Sequence, residues 1–216
     1  MRNKKNCIKV LLVDDHAVVR EGYKNLLDNY PDIEIVAEAP SGEIACKHYV
    51  DYQPDVVIMD LSLPGIGGLE AIRRIVARDP DAKILVFSMH EDTVFVEQAL
   101  QAGARGYISK STAANDLVEA VQEIANGHDH LDPEIAQKLA IQKTRGRHSP
   151  FTNLSTREFE IFCLLAEGAN VATIAERLSL SYKTVANYST QIKNKLEVKT
   201  TAELARLAIR HGLVEA

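Results

Sequence analysis

The sequence has no apolar run long enough to cross a bilayer: stretches such as VLLV and VVIM fall far short of the roughly 20 residues that a membrane helix needs. Its opening, MRNKKNCIKVLLVDD, lacks an apolar signal region and a small-residue cleavage site. These absences predict a cytoplasmic protein with no membrane partner. Cysteine is scarce as well. Cys7, Cys46 and Cys163 are odd in number and scattered, without metal-ligand spacing, which argues against a disulfide framework or a zinc site and leaves reduced packing residues. Repeats, low-complexity tracts and low-hydrophobicity tracts are missing too. With 46% hydrophobic and 25% charged residues, the chain is expected to fold throughout.

What is present points to two domains. A chain of 216 residues exceeds one typical domain, and its charge is uneven: −9 over residues 1–142, +3 over 143–149 and +1 over 150–216. The acidic part is ill suited to polyanions, whereas the basic stretch and the tail are compatible with nucleic acid.

Between residues 8 and 126, short β-branched runs alternate with amphipathic stretches of helical length. That pattern predicts a five-stranded, doubly wound parallel sheet with helices on both faces. The expected strands are Ile8–Val13, Ile33–Ala39, Val56–Met59, Ile84–Phe87 and Gly106–Ile108. The expected helices are Val18–Asn29, Glu43–Tyr52, Leu69–Arg78, Val94–Ala102 and Ala113–Asn126, with Ser41 and Thr112 as caps. A first domain over 1–128 is followed by a linker, 129–149, holding at most one short helix around Pro133–Ile141. Residues 150–216 then read as all-α, with helices at Ser155–Glu167, Val171–Leu178, Tyr182–Leu196 and Thr201–His211.

In open sheets of this kind, functional groups gather where the strands end. Here strand one ends in Asp14 and Asp15, strand three in Asp60 and strand four in Ser88, while strand five runs into Lys110. Three crowded carboxylates repel one another and resist ionisation unless a cation sits among them. Mg2+ suits oxygen ligands and keeps water positions free for phosphate oxygens. A carboxylate beside it can act as a nucleophile toward a phosphoryl group.

The strings VLLVDDH, VVIMDLSLPGIGG, VFSMH and GARGYISK, in this order and spacing, resemble the receiver domains of bacterial response regulators, whose fold is flavodoxin-like. The resemblance implies that Asp60 is the phosphoacceptor and that a sensor histidine kinase is the donor. It implies that Asp14, Asp15, Asp60 and the carbonyl of Ser62 hold Mg2+, and that Ser88 and Lys110 bind the phosphoryl group. Tyr107 stands at the family's switch-aromatic position, which turns inward when Ser88 is drawn to the phosphate. One departure is visible: Ser111 follows Lys110 where many receivers have a proline that favours a cis bond, and a cis bond before serine would cost about 3–4 kcal/mol.

In the tail, Ser155 and Glu158 have capping-box spacing ahead of an apolar run. Two short helices across the turn LSLS then have the spacing of a helix-turn-helix. IAERLSLSYKTV and IKNKLEV resemble the LuxR-type DNA-binding domain, so the whole chain is similar to the NarL/FixJ family. The resemblance implies a scaffold helix at Thr173–Leu178 and a recognition helix at Tyr182–Lys195. Lys183, Thr184, Lys193 and Lys195 are then the phosphate-contact candidates, and Asn187 and Thr190 the candidates for base edges in double-stranded promoter DNA. The last helix implies a homodimer, formed on phosphorylation. Val171, Ala172, Ala186 and Tyr188 depart from the family pattern and leave the target sequence open. Three readings compete with this one: a metal-dependent phosphatase, a DNA-binding regulator that works without phosphorylation, and a helical protein-interaction module in place of the DNA-binding tail. His16 and His90 could each approach the site, but ordinary helix entry and surface polarity are the roles expected of them, and His128 and His130 are expected to bind no metal.

Overall fold

A computed structural model describes residues 7–112, 114–144 and 149–214. Its elements in chain order begin β1 (Ile8–Val13), α1 (Ala17–Leu27), β2 (Ile33–Ala39), α2 (Gly42–Tyr52), β3 (Val56–Met59) and α3 (Gly68–Arg78). They continue with β4 (Ile84–Ser88), α4 (Thr93–Ala102), β5 (Gly106–Ser109), α5 (Ala114–Ala125), β6 (His130–Leu131) and α6 (Pro133–Thr144). A 3-10 turn, Pro150–Asn153, precedes α7 (Thr156–Ala166), α8 (Val171–Arg177), α9 (Tyr182–Lys195) and α10 (Thr201–Arg210).

The strands form one parallel sheet in the order β2-β1-β3-β4-β5-β6. Strands buried on both faces read as continuous apolar runs, and all four residues of β3 are buried. The two-residue period divides them between two cores. Leu11, Val13, Val57, Met59, Ile84 and Val86 face α2, α3 and α4. Val10, Leu12, Val56, Ile58, Leu85, Phe87 and Ile108 face Leu27 of α1 and Leu117, Val121 and Ile124 of α5.

The expected five strands are corrected to six. Residues 129–144, read as linker, carry β6 and α6: β6 pairs with β5 through His130 N to Arg105 O at 3.1 Å and Asp132 N to Tyr107 O at 3.0 Å. Two residues have no periodicity to read, and backbone bonds at the sheet edge create this strand. Helix α6 runs three residues past the expected Ile141. Ala113, the expected start of α5, and residues 145–148 of the basic stretch lie outside the described residues, as do 1–6. The expected cap Thr112 gives its hydroxyl instead to Asp132 Oδ2 at 2.8 Å.

The tail holds four α-helices, and α9 has the predicted bounds. The Ser155–Glu158 capping box is formed in both directions. Its core joins the receiver's: the Phe95 ring meets the Phe159 ring edge-on at 5.2 Å, and Gln98 Nε2 donates to Phe151 O at 3.2 Å.

Candidate functional site

The sheet order reverses between β1 and β3, and the crevice at such a reversal is where open α/β sheets place their ligands. Val13 pairs with Met59 in register, so the next residues, Asp14 and Asp60, emerge side by side, only 2% and 4% exposed. Lys110 reaches them from the end of β5: its Nζ lies 2.6 Å from Asp14 Oδ2 and 2.7 Å from Asp60 Oδ2. Burial pushes the Asp60 carboxyl above the usual carboxylate range. Lys110 and the Ser62 amide pull the other way, and Asp14 adds to the rise. Burial also disfavours the Lys110 ammonium, but its bonds to Asp14 and Asp60 prevail and hold its pKa above the ordinary lysine value. The Lys110–Ser111 peptide is trans; the described residues include no cis bond.

Asp15 lies at the mouth of this pocket, with His16 Nδ1 2.7 Å from its Oδ1. One ligand atom each from Asp14, Asp15 and His16 fall within 4.8 Å of one another, a grouping that could hold a metal ion. Asp60 stands outside it, across the Lys110 ammonium. Ser62 N donates to Asp60 Oδ1 at 3.3 Å. Arg20, which nothing in the motif strings singles out, donates from Nη1 to the Asp14 carbonyl at 2.7 Å.

Ser88 is fully buried, and its Oγ accepts from His90 N at 3.3 Å. Tyr107 is fully buried as well, with its hydroxyl donating to the His90 carbonyl at 2.6 Å. In this structure the Tyr107 ring lies inward, against the end of β4. Of its two possible places, His90 takes the one at the site and is half-buried there. Its ring stacks on Phe95 at 4.0 Å with an interplanar angle of 15°, and Nε2 lies 3.2 Å from Ser62 Oγ. Burial lowers its pKa, so a neutral ring is favoured. Sequence spacing gave no sign of this, because Phe95 belongs to the next helix.

On the DNA side, Val185, Ser189 and Ile192 are the buried residues of α9. Lys183, Asn187 and Thr190 are exposed, so these three candidates share a free surface. Thr190 Oγ1 donates to the Ala186 carbonyl at 3.1 Å. Thr184 is half-buried and drawn into the helix cap, its Oγ1 2.7 Å from Ser181 Oγ. Lys193 is half-buried. Lys195 departs from the expected role: its ammonium is committed to Glu158 Oε2 at 2.6 Å and Asn153 O at 3.2 Å, tying α9 to the start of α7. Gln191 and Asn194, also exposed on α9, escaped the sequence reading because an amide on a solvated helix carries no signal of its own.

A flavodoxin-like sheet with an acidic, lysine-bridged pocket at its switch point, joined to a helix-turn-helix, defines a receiver coupled to a DNA-binding module. Residues 10–122 match the response regulator receiver domain family, and residues 152–208 match the luxR family of bacterial regulatory proteins. The chain belongs to the response regulators of the NarL/FixJ family, phosphorylation-controlled DNA-binding regulators of transcription. It is 40% identical to the response regulator GacA of Pseudomonas aeruginosa over 97% of this chain and 99% of that protein. It is 41% identical to the response regulator UvrY of Escherichia coli K12, covering 97% of each. Among solved structures it resembles RcsB from Salmonella enterica serovar Typhimurium, bound to promoter rprA in the presence of the phosphomimetic BeF3-. The TM-score there is 0.70 at 26% identity, over 94% of this chain and 98% of that one. Among the described residues, no helix is long and apolar enough to cross a membrane.

Proposed function

We propose that Asp60 accepts a phosphoryl group from a sensor histidine kinase and that this event governs promoter binding by α9 in a homodimer. The observation that carries the reading is the buried Asp14–Lys110–Asp60 bridge at the switch point. An Asp60 oxygen attacks the phosphorus of a phosphohistidine, the P–N bond breaks and the imidazole leaves. Lys110 then trades one of its two carboxylate bonds for a phosphoryl oxygen. The Ser88 hydroxyl, now accepting from His90 N, donates to the same group.

Of the expected ligands, Asp14 and Asp15 present carboxylate oxygens close enough to share an Mg2+ ion, and in this reading Asp60 and the Ser62 carbonyl complete the set. An ion held there would offset the negative charge of the carboxylates and of the transferring phosphoryl group. In this reading the receiver runs past the expected 128 to include β6 and α6, the DNA-binding domain spans 150–216, and the protein works in the cytoplasm. The similar RcsB supports it, having been solved bound to promoter rprA in the presence of the phosphomimetic BeF3-.

The test measures mass in solution and affinity for genomic DNA fragments, with and without beryllofluoride plus Mg2+, for the wild type and Asp60→Ala. Dimerisation and binding are expected to rise with the mimic only when Asp60 is present. Binding that ignores both the mimic and Asp60→Ala would establish a regulator independent of phosphorylation.

A second prediction separates the roles on α9. Lys183→Ala should weaken binding to all sequences alike and reduce the salt slope by about one, as loss of a phosphate contact does. Asn187→Ala should cost about 1–3 kcal/mol on the cognate site alone. Lys195→Ala should instead lower the melting temperature and leave the salt slope unchanged. A slope that drops with Lys195→Ala and not with Lys183→Ala would reverse the assignment.

A further inference from the structure

The receiver is acidic as a whole, yet α3 turns Arg73, Arg74 and Arg78 to solvent, while Glu70, the helix's one carboxylate, is buried. Glu70 holds two of these arginines. Arg73 donates to it side-on, from Nε and from Nη2, each at 2.8 Å, and Arg74 donates from Nε at 2.8 Å. A guanidinium carries five N–H donors in a rigid, planar fork. The two-point grip therefore fixes the plane of the Arg73 group and leaves its Nη1 edge turned away from Glu70. Among the described residues Nη1 has no hydrogen-bond partner, and the side chain is 54% exposed.

Helix α9 lies beside this arginine. The bonds to Glu70 hold the Arg73 pKa above the ordinary arginine value, and the Tyr188 phenol of α9 is near enough to add to the effect. The surrounding bonds agree with that placement. Gly65 N, in the loop before α3, donates to the Arg177 carbonyl at the end of α8 at 3.0 Å. Arg157 of α7 donates to Glu160 Oε2 at 2.7 Å and to the Leu178 carbonyl, just before the turn into α9, at 2.9 Å. Glu160 in turn comes so close to Gly67 that the three atoms nearest a Cβ there would all be its own. On α9, Tyr188 follows Asn187 and precedes Gln191 by three, so Arg73 stands on the flank of the exposed face that bears Lys183, Asn187 and Gln191. Arg74 takes the other flank: burial raises the Cys46 thiol of α2, and Arg74 is the cation that opposes it.

We propose that the receiver takes part in binding DNA: Arg73, gripped by Glu70 on the flank of α9, contacts a backbone phosphate beside the bases that α9 reaches. The proposal rests on the reading of α9 as the helix that enters DNA, not on that of Asp60. The DNA-binding domain is short of free cations for a polyanion. Its net charge is only +1 over residues 150–216, and Lys195 is committed to Glu158. Cations that neutralise phosphates, and the counterions they release, supply much of the affinity for DNA. A guanidinium whose plane is already fixed loses little freedom on meeting a phosphate, and its remaining edge matches two phosphate oxygens.

The experiment measures the affinity of the full-length protein for a genomic promoter fragment and for an unrelated duplex across about 50–200 mM salt, in one series without beryllofluoride and Mg2+ and in another with them. Arg73→Ala is expected to weaken binding to both duplexes alike and, in at least one series, to lower the salt slope by about one per bound protomer. Arg74→Ala removes an equal charge from the same carboxylate on the other flank and should keep the wild-type slope. Either variant leaves Glu70 one arginine, so neither creates an unpaired buried charge. Should Arg73→Ala fail to fold all the same, Arg73→Gln keeps the stem and decides. An unchanged slope for Arg73→Ala in both series would overturn the proposal. Equal losses in Arg73→Ala and Arg74→Ala would overturn it as well, in favour of a general effect of charge. Wild-type DNA binding with lowered transcription would overturn it in favour of an acidic protein partner. Lys183→Ala, run alongside, tells the failures apart: if it lowers the slope where Arg73→Ala does not, the α9 reading stands and only the receiver contact falls, and if it too is silent, the α9 reading falls with it.

Discussion

Lys110→Ala is expected to slow phosphorylation of Asp60 by about 100- to 1000-fold, the usual consequence of deleting one fixed donor aimed at developing charge. Two effects act together. The Lys110 ammonium would no longer meet the phosphoryl oxygens, and Asp60 would lose the cation that opposes its desolvation and the charge of Asp14. Its pKa, already raised, would rise further, so that less of the nucleophile is ionised at a given pH. Rates with acetyl phosphate and Mg2+, followed across pH, check both effects: the profile should shift toward higher pH as well as fall. A loss under threefold with an unshifted profile would remove Lys110 from the chemistry. Stability should respond in the matching direction. A carboxyl whose folded pKa lies above its unfolded value stabilises below the unfolded pKa and loses that contribution as pH rises through the folded one. The variant should therefore be least stable relative to wild type at neutral and higher pH, and should recover on acidification.

Phe151→Ala is expected to destabilise the DNA-binding domain by about 3–5 kcal/mol. The Phe151 ring is fully buried and packs against Phe159, Phe162 and His211. Truncation leaves a cavity where three elements meet. Set against a total of about 5–15 kcal/mol for an ordinary domain, this removes a large part of the margin. Thermal melts of the full chain should show the early transition moving sharply downward, and Phe151→Leu should cost distinctly less because it keeps most of the volume. Equal melting temperatures for wild type and Phe151→Ala would show that the site collapses without penalty, contrary to its packing.

The parallel strands were legible because burial on both faces makes them continuous apolar runs, as in VVIM, and the pocket because its residues follow those strands directly. The ends of α9 and the Ser155–Glu158 box were legible because caps are local. Contacts between distant segments were not. Lys195 looked like a phosphate contact because its partner, Glu158, lies 37 positions away. His90 looked solvent-facing because the Phe95 ring that covers it is brought over by α4. The close approach of Glu160 to Gly67 left no trace in either string, since a glycine before a helix and a glutamate within another are each unremarkable alone. Strand β6 escaped because its bonds come from β5 and not from its own two side chains.

Helix α6 carries the sheet-bound part of the chain to Thr144, and the DNA-binding domain is already capped at Ser149. Whatever path the chain takes between them, five residue steps span at most about 18 Å. A DNA-binding domain released from the receiver therefore stays on a short leash, and its return is an intramolecular event at an effective concentration in about the millimolar range. If the two halves parted, they would not be set adrift: their reclosure would be a first-order step whose rate does not depend on how many copies the cell contains.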